Sequence, residues 1–292
     1  MPTEGPGPLP RRHTVMRRLV VNRAAVAATA LLLAIAVPCV AAPIFAPYSP
    51  SAQPDIIALR SQPPSLSHPF GTDPFSRDVL SRLLYGGRLS LSVALIATLV
   101  SITLGTAYGA VAGFAGGIIE SVMMRILDAL LSIPRLLLLI AIFAAWRQLP
   151  LAVFVIIVGF TGWYGLSRVV RGQVLAMKGE DFVISARALG AGRARILLRH
   201  ILPNVLTPVI VAAALGVGHV ILLEAGLSYL GVGVQPPEPS WGNIIQDGSD
   251  QVANLWWISF FPGMAIVLTV MAFNVIGDAL REALDPRQTR TG

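Results

Sequence analysis

Six long apolar stretches dominate this sequence, and each has about the twenty residues that an α-helix needs to cross the hydrocarbon core of a bilayer. Backbone polar groups in that environment must be satisfied internally, which favours helices for runs of this length. The chain is 54% hydrophobic and 13% charged, whereas soluble domains are about a quarter charged. The sequence therefore predicts an all-α integral membrane protein with six transmembrane helices, at Leu19–Ala42, Leu89–Phe114, Ile118–Ala145, Leu151–Val170, Leu206–Leu230 and Leu255–Leu280.

The distribution of Lys and Arg predicts how these helices are oriented. With six crossings, about sixteen of the 22 basic residues fall on the side that holds both termini, five fall on the opposite side, and Arg135 lies inside the third span. Lys and Arg accumulate in the cytoplasmic loops of membrane proteins. We therefore expect a multi-pass protein of the cell (plasma or inner) membrane, with both termini in the cytoplasm and with segments 43–88 and 231–254 outside.

The N-terminal region poses a choice between an anchor and a signal peptide. Five arginines precede an uncharged run from residue 24 to residue 54. That run is longer than the apolar part of a signal peptide, and Pro43 directly follows the best small-residue cleavage position, Ala42. We expect residues 1–18 to be a disordered cytoplasmic N-terminus, 19–42 an uncleaved first span, 89–280 a core domain of five helices, and 281–292 a cytoplasmic tail.

The residues that catalysis or metal binding would need are absent from the sequence or isolated in it. Cys39 is the only cysteine, so no internal disulfide is expected, and His219 has no second His or Cys at ligand spacing. The sequence contains no GxxxxGK[ST] phosphate-binding loop and no evident pair of nucleophile and base. We therefore expect a non-catalytic subunit that holds no cofactor and no metal.

One polar and basic segment, residues 181–204, lies between two charge-free apolar runs. Its composition predicts a helix from Asp181 to Ala188, a turn at Gly190, and a second helix that Pro203 separates from the following span. Small side chains near the turn would let the backbone of another protein approach closely, and the arginines would attract an acidic surface. A DNA-binding helix-turn-helix is disfavoured because both ends are tethered to spans, so we expect no nucleic acid partner.

Asp128, Arg135 and Glu224 are among the charged residues that fall inside the predicted spans. A charge at the centre of a lipid-exposed helix costs about 2.5 to 3.5 kcal/mol, so each should face the bundle interior or lie near an interface. Asp128 and Arg135 are seven residues apart and would share one helical face, although Pro134 between them favours a kink. Two hypotheses remain open for all three charges, namely structural pairing with neighbouring helices and lining of the solute pathway.

Stretches along most of the chain resemble one family of transport proteins. They are HPFGTDPFSRDVLSRLLYGGRLSL, GAVAGFAGG, RGQVLAM, LSYLGVGVQPPEPSWGNII and FFPGMAIVLTVMAFNVIGDALREALDP. From about Leu19 to Pro286 the sequence resembles ABC importer permeases of the dipeptide, oligopeptide and nickel branch, and within that branch the C-type subunit. The resemblance implies the type I ABC importer fold and a permease subunit of an ATP-driven importer of dipeptides or oligopeptides.

The resemblance also implies partners. These are a homologous B-type permease subunit, two ABC ATPase subunits that hold ATP and Mg, an extracytoplasmic solute-binding protein, the lipid bilayer and a peptide substrate. Residues 171–205 would be the cytoplasmic loop with the coupling helix. Its ATPase-coupling residues would be Glu180, Asp181, Ser185, Ala186, Arg187, Ala188, Leu189, Gly190, Leu202 and Pro203. The family motif usually begins Glu-Ala-Ala, but here Ile184 replaces the glutamate, and Glu180 or Asp181 would have to supply the carboxylate.

Two other functions remain open from the sequence. The same architecture would serve to import nickel or another small solute. A self-sufficient secondary transporter or channel would explain the charges inside the spans, but it would leave the coupling-type loop without a role. No internal repeat indicates the symmetric halves that many secondary transporters have. A buried carboxylate such as Glu224 is chemically suited to a pathway for peptides, which carry a free ammonium.

Overall fold

The structure is a computed structural model that describes residues 12–146 and 149–284. Within these ranges the chain consists of helices and their connections, without a β-strand. The helices are α1 (Arg12–Val21), α2 (Arg23–Val40), α3 (Ala42–Phe45), α4 (Val79–Ala115), α5 (Gly117–Leu131), α6 (Arg135–Ala144), α7 (Leu151–Phe160), α8 (Tyr164–Met177), α9 (Asp181–Ala188), α10 (Arg193–Arg195), α11 (Leu202–Tyr229), α12 (Trp241–Gly248) and α13 (Trp256–Leu284).

Four helices are long and apolar enough to cross a membrane: α2, α4, α13 and the continuous helix that ends with α11. Two pairs, α5 with α6 and α7 with α8, meet the same criteria together but bend by 70° and 41°. Counting each bent pair as one span gives six crossings, in agreement with the number predicted from the apolar runs.

The two ends of the chain are only partly described. Residues 12–18 of the segment expected to be disordered belong to α1. There the Arg18 side chain donates a hydrogen bond to the Ala283 carbonyl oxygen of α13 at 3.4 Å. The rest of that segment and most of the expected tail, residues 285–292, lie outside the described residues.

The bend in the third span overturns one prediction. Ser132 to Pro134 separate α5 from α6, because proline lacks a backbone N–H and disfavours helical geometry at the residue before it. Asp128 and Arg135 therefore lie on different helix segments, and the prediction that they share one helical face is wrong. The fourth span bends in the same way between α7 and α8.

The second loop helix and the fifth span form one continuous helix. α10 passes through a π-helical turn at Ile196–Ile201 into α11. In this turn the Leu202 N–H donates to the Leu197 carbonyl oxygen, five residues back. The wider turn accommodates Pro203, which has no N–H to donate. The prediction that Pro203 separates the loop helix from the span is therefore wrong.

α4 is the central helix of the bundle and packs against α2, α7, α8 and α11. Its glycines permit this packing, since a Cβ at Gly109 would lie 2.4 Å from the Ser167 carbonyl oxygen. Small residues let helices approach closely in a bilayer, where the hydrophobic effect does not drive their association. With 37 residues, α4 is about 55 Å long. Its two ends therefore define opposite ends of the molecule.

The first end of α4 contacts a folded segment that we call the cap, residues 43–78 and 231–254. Asp78 caps α4 by accepting a hydrogen bond from the Ser81 N–H at 2.7 Å, so the helix begins earlier than the predicted span. Trp241 is fully buried in the cap against Gly87. The far end of α4 meets residues 171–205, which we call the loop end.

Candidate coupling surface and buried charge clusters

The loop end presents the short helix α9, which two side chains hold against the bundle. Val183 and Ala186 are three residues apart, lie on one face and are buried. Val183 packs in a hydrophobic cluster that includes Val174, Ile196 and Ile201. This anchoring fixes the rotation of α9, because turning the helix would bring Val183 into contact with water. The opposite face of α9 is therefore presented outward in a defined orientation.

Most of the residues that the family resemblance assigns to coupling lie on this outward face or beside it. Seven of the ten are exposed, Glu180 and Leu202 are partly buried, and Ala186 is buried. The exposed ones are Asp181, Ser185, Arg187, Ala188, Leu189, Gly190 and Pro203. Leu189 is 89% exposed and stands beside small side chains.

Ile184 occupies the position where the family motif has a glutamate, and it is exposed on the same helix. Neither Glu180 nor Asp181 forms an ion pair with another described residue. Asp181 lies in the first turn of α9, where the positive end of the helix dipole stabilises a carboxylate. Both acids are therefore free to contact a partner.

The turn after α9 depends on Gly190. Its φ of +82° lies in the left-handed region, where glycine is unstrained and other residues are not. A Cβ at this position would meet nothing within 4 Å, so the constraint is the backbone conformation and not the space. The Ala191 N–H donates to the Ala186 carbonyl oxygen at 3.0 Å and closes the end of the helix. Gly190 thus directs the chain from α9 into α10.

Beneath this surface, α8 is fastened to its neighbours by cations. Lys178 Nζ donates to the carbonyl oxygens of Gly113 and Phe114 at 3.2 and 3.0 Å. These carbonyls end α4, where the helix dipole favours a positive charge. Arg171 forms an ion pair with Glu120 of α5. These contacts attach the start of the loop end to α4 and α5.

Asp128 and Arg135 of the third span have separate partners. Asp128 accepts a hydrogen bond from Arg168 of α8 at 2.5 Å, and both side chains are more than half exposed. Arg135 donates to the Val158 carbonyl oxygen at 2.7 Å and to Thr161 Oγ1 at 3.3 Å. Bends in membrane helices free backbone carbonyls that must find other donors. Arg135 supplies such a donor at the bend between α7 and α8.

Glu224 is fully buried where α11 meets α4 and the cap. Ser90 Oγ and Ser228 Oγ donate to its two carboxylate oxygens at 2.8 and 2.7 Å. The same two hydroxyl oxygens accept hydrogen bonds from the backbone N–H groups of Trp241 at 3.3 Å and Val234 at 3.0 Å. Glu224 therefore connects two helices with the backbone of the cap. This arrangement corresponds to the hypothesis of structural pairing with neighbouring helices.

A second charge cluster, inside the cap, was not predicted. Asp73 accepts hydrogen bonds from Arg77 Nε at 2.6 Å and from Arg82 Nη1 at 2.5 Å. Asp247 of α12 accepts from the same two arginines at 2.8 and 2.6 Å. The cluster fastens the first half of the cap to the second. The four-residue spacing of Asp73 and Arg77 is visible in the sequence, but nothing there indicates Asp247.

These features define a class of protein: a bundle of membrane-spanning helices with satisfied charges at one end and an exposed, fixed helix for a partner at the other. The family model described as "Binding-protein-dependent transport system inner membrane component" matches residues 105–290. A second model, "N-terminal TM domain of oligopeptide transport permease C", matches residues 11–64. The chain therefore belongs to the binding-protein-dependent ABC permeases, and its resemblance to the C-type subunit of the peptide branch is confirmed.

Curated relatives match nearly the whole chain. It is 41% identical over 275 residues to the dipeptide transport system permease protein DppC of Bacillus subtilis, which covers 94% of this chain and 85% of the relative. It is 41% identical over 273 residues to the oligopeptide transport system permease protein OppC of Haemophilus influenzae, covering 93% and 87%. The Bacillus subtilis OppC is 38% identical over 274 residues, covering 93% and 88%.

Proposed function

We propose that this chain is a permease subunit of an ATP-driven importer of dipeptides and oligopeptides, and that it forms the translocation pathway with a homologous B-type permease. The dipeptide and oligopeptide permeases that it resembles support this cargo. Two ABC ATPase subunits would hold ATP and Mg and supply the energy. An extracytoplasmic solute-binding protein would deliver the peptide to the cap, and this chain itself would catalyse no reaction.

The observation that carries the proposal is the fixed outward face of α9. Small exposed residues let a partner's backbone approach closely, and Val183 transmits any displacement of α9 to Ile196 and Ile201. These two residues bound the π-helical turn, from which one helix continues to Tyr229. ATP binding would draw the ATPases together and move α9, and the continuous helix would carry this motion to the Glu224 cluster beneath the cap.

Orientation is part of the proposal: the loop end is cytoplasmic, the cap is extracytoplasmic, and the membrane is the inner or plasma membrane. Single cysteines placed in a Cys39→Ala background test it. A membrane-impermeant thiol reagent applied to intact cells should label a cysteine at Ser67, which is exposed in the cap, and should miss one at Ala194, which is exposed at the loop end. Ser240 would be a poor probe, since it is fully buried. Labelling at position 194 alone would overturn the orientation.

Reconstitution tests the energy source and the cargo. The permease pair, with and without its ATPase subunits, is placed in liposomes with the loaded binding protein outside, and uptake of a labelled dipeptide is measured. We expect uptake only with ATPases and ATP inside. Uptake that persists without ATPases would indicate a self-sufficient transporter. ATP-dependent uptake of a nickel complex, without uptake of any peptide, would indicate that the cargo is nickel.

A further inference from the structure

Two adjoining cavities lie between the cap and the helices α4 and α7, and both are lined by Glu238 and Leu151. The first has a volume of about 390 Å³ and also contains Tyr85 and Arg88 of α4. The second has a volume of about 570 Å³ and also contains Phe154 of α7. Both volumes fall within the range of about 300 to 1,000 Å³ that is typical of small-molecule sites.

Arg88 and Glu238 bring opposite charges to the first cavity from two separate elements, α4 and the segment before α12. Both residues are exposed. Within residues 12–146 and 149–284, neither side chain forms an ion pair or a hydrogen bond. The nearby Arg77 and Arg82, in contrast, are neutralised by carboxylates. Among the described residues, the cavity therefore has one unpaired cation and one unpaired anion.

We propose that these cavities form a subsite for a short zwitterionic peptide, in which Glu238 binds the N-terminal ammonium and Arg88 binds the C-terminal carboxylate. The inference rests on the proposed function and specifies which chemical groups of the cargo this chain recognises. Arginine suits the carboxylate because its planar guanidinium can donate two parallel hydrogen bonds. Tyr85, Leu151 and Phe154 supply apolar and aromatic surface for the peptide side chains.

The size of the ligand fits this arrangement. An extended dipeptide spans about 7 Å between its termini, so the first cavity, which both charged residues line, has room for one molecule. The zwitterionic headgroup of phosphatidylethanolamine has the same combination of an ammonium and an anion. The experiment therefore has to separate a peptide from a lipid headgroup.

The test measures binding of labelled alanyl-phenylalanine to the complete permease and ATPase complex in nanodiscs of phosphatidylglycerol, without the binding protein. Competitors are N-acetyl-alanyl-phenylalanine and alanyl-phenylalanine amide, each lacking one charge. The variants are Glu238→Gln and Arg88→Gln, and the matched controls are Asp250→Asn and Arg60→Gln, exposed cap residues that line neither cavity.

Wild type and both controls should bind the free dipeptide about fivefold more tightly than either capped form, as expected for a partly exposed ion pair. Glu238→Gln should lose the discrimination against the N-acetyl form only, and Arg88→Gln the discrimination against the amide only. A folding defect cannot produce these two opposite patterns. Unchanged discrimination in both variants, or no saturable binding to wild type, overturns the subsite.

Two further measurements separate the remaining outcomes. If phosphatidylethanolamine, added to the nanodiscs, displaces the dipeptide from wild type but not from the two variants, the cavity is a lipid headgroup site and the peptide assignment is wrong. ATP-dependent uptake with the binding protein is measured on the same preparations. Wild-type uptake of dipeptide with no selective loss of discrimination in the variants rejects the subsite alone, whereas the absence of all peptide uptake rejects the proposed function.

Discussion

In the cap, Asp73 lies within 2.6 Å of donor nitrogens on both Arg77 and Arg82, whereas at the loop end Arg187 and Arg193 form no ion pair with any residue between 12 and 146 or between 149 and 284. A buried charge must be paired and hydrogen-bonded within the chain, because leaving it unpaired is costly. An exposed charge carries no such penalty and remains available. The buried charges of the cap are thus satisfied within the chain, while Arg187 and Arg193 at the loop end are unpaired among the described residues.

This difference predicts where substitutions destabilise the protein and where they affect only the assembled complex. The largest effect should come from Asp73→Ala, which leaves two arginines without their buried carboxylate and should cost about 3 to 5 kcal/mol. Thermal unfolding of the purified complex measures it. Asp250→Ala, at an exposed position of the cap, is the control and should unfold like wild type. Equal midpoints for the two variants would show that the cluster does not hold the cap.

The Glu224 cluster should give an intermediate effect. Glu224→Leu leaves the hydroxyl hydrogens of Ser90 and Ser228 without an acceptor inside the protein, at about 1 to 3 kcal/mol for each unsatisfied group. Glu224→Gln retains an amide that can accept from one serine and donate to the other, so it should be closer to wild type. Unfolding midpoints and the yield of assembled complex distinguish the two. A Gln variant as unstable as the Leu variant would indicate that the negative charge itself is required.

The turn at the loop end should show a smaller, local effect. Gly190→Ala forces an alanine into the left-handed region and should cost about 1 to 2 kcal/mol. Gly192→Ala is the control, because Gly192 has a φ of −66° that alanine adopts readily and a Cβ there meets nothing within 4 Å. Hydrogen exchange in α9 should rise in the first variant only. Equal exchange in both would contradict the turn geometry.

The smallest expected effect is a pH dependence in the cap. The backbone N–H groups of Ala58 and Ile57 donate to Asp55 Oδ1 at 2.8 and 2.9 Å, and these bonds lower the pKa of Asp55 from its ordinary value of 3.8. A lowered carboxyl pKa contributes stability that is complete above the ordinary value and is lost as the pH falls through the lower, folded value. The hydrogen-exchange protection factors of residues 55–58, which correct for the intrinsic slowing of exchange in acid, should therefore fall below about pH 4. Asp55→Asn should abolish this dependence, and an unchanged profile would refute it.

The sequence was sufficient for the features that a single local rule controls. The number of spans follows from the thickness of the bilayer, and the bounds predicted for α9, Asp181–Ala188, agree with the structure. The bend at Pro134 was foreseen as a kink, but its size was not. A 70° bend removes the helical periodicity that would have placed Asp128 and Arg135 on one face.

Features that depend on tertiary contacts could not be predicted from the sequence. The two arginines that bind Asp247 are 165 and 170 residues away from it in the chain, and no local pattern connects them. Proline ordinarily ends a helix, so the sequence predicted that Pro203 separates the loop helix from the span. The π-helical turn that accommodates Pro203 depends on how Ile196 and Ile201 pack, and no local sequence pattern shows this packing. The same limit applies to Arg135, whose partners are carbonyl and hydroxyl groups at a bend in another span.

In the proposed function, transport depends on binding of the ATPase subunits to the outward face of α9. Ala188→Trp adds bulk to that face without backbone strain, and Ala58→Trp adds the same bulk to an exposed alanine of the cap. Copurified ATPase, ATP turnover and peptide uptake are measured on the same preparation of each complex. We expect Ala188→Trp to insert normally but to lose ATPase binding or to hydrolyse ATP without uptake, while Ala58→Trp keeps wild-type ATPase binding. Wild-type values of all three quantities for Ala188→Trp would contradict the account.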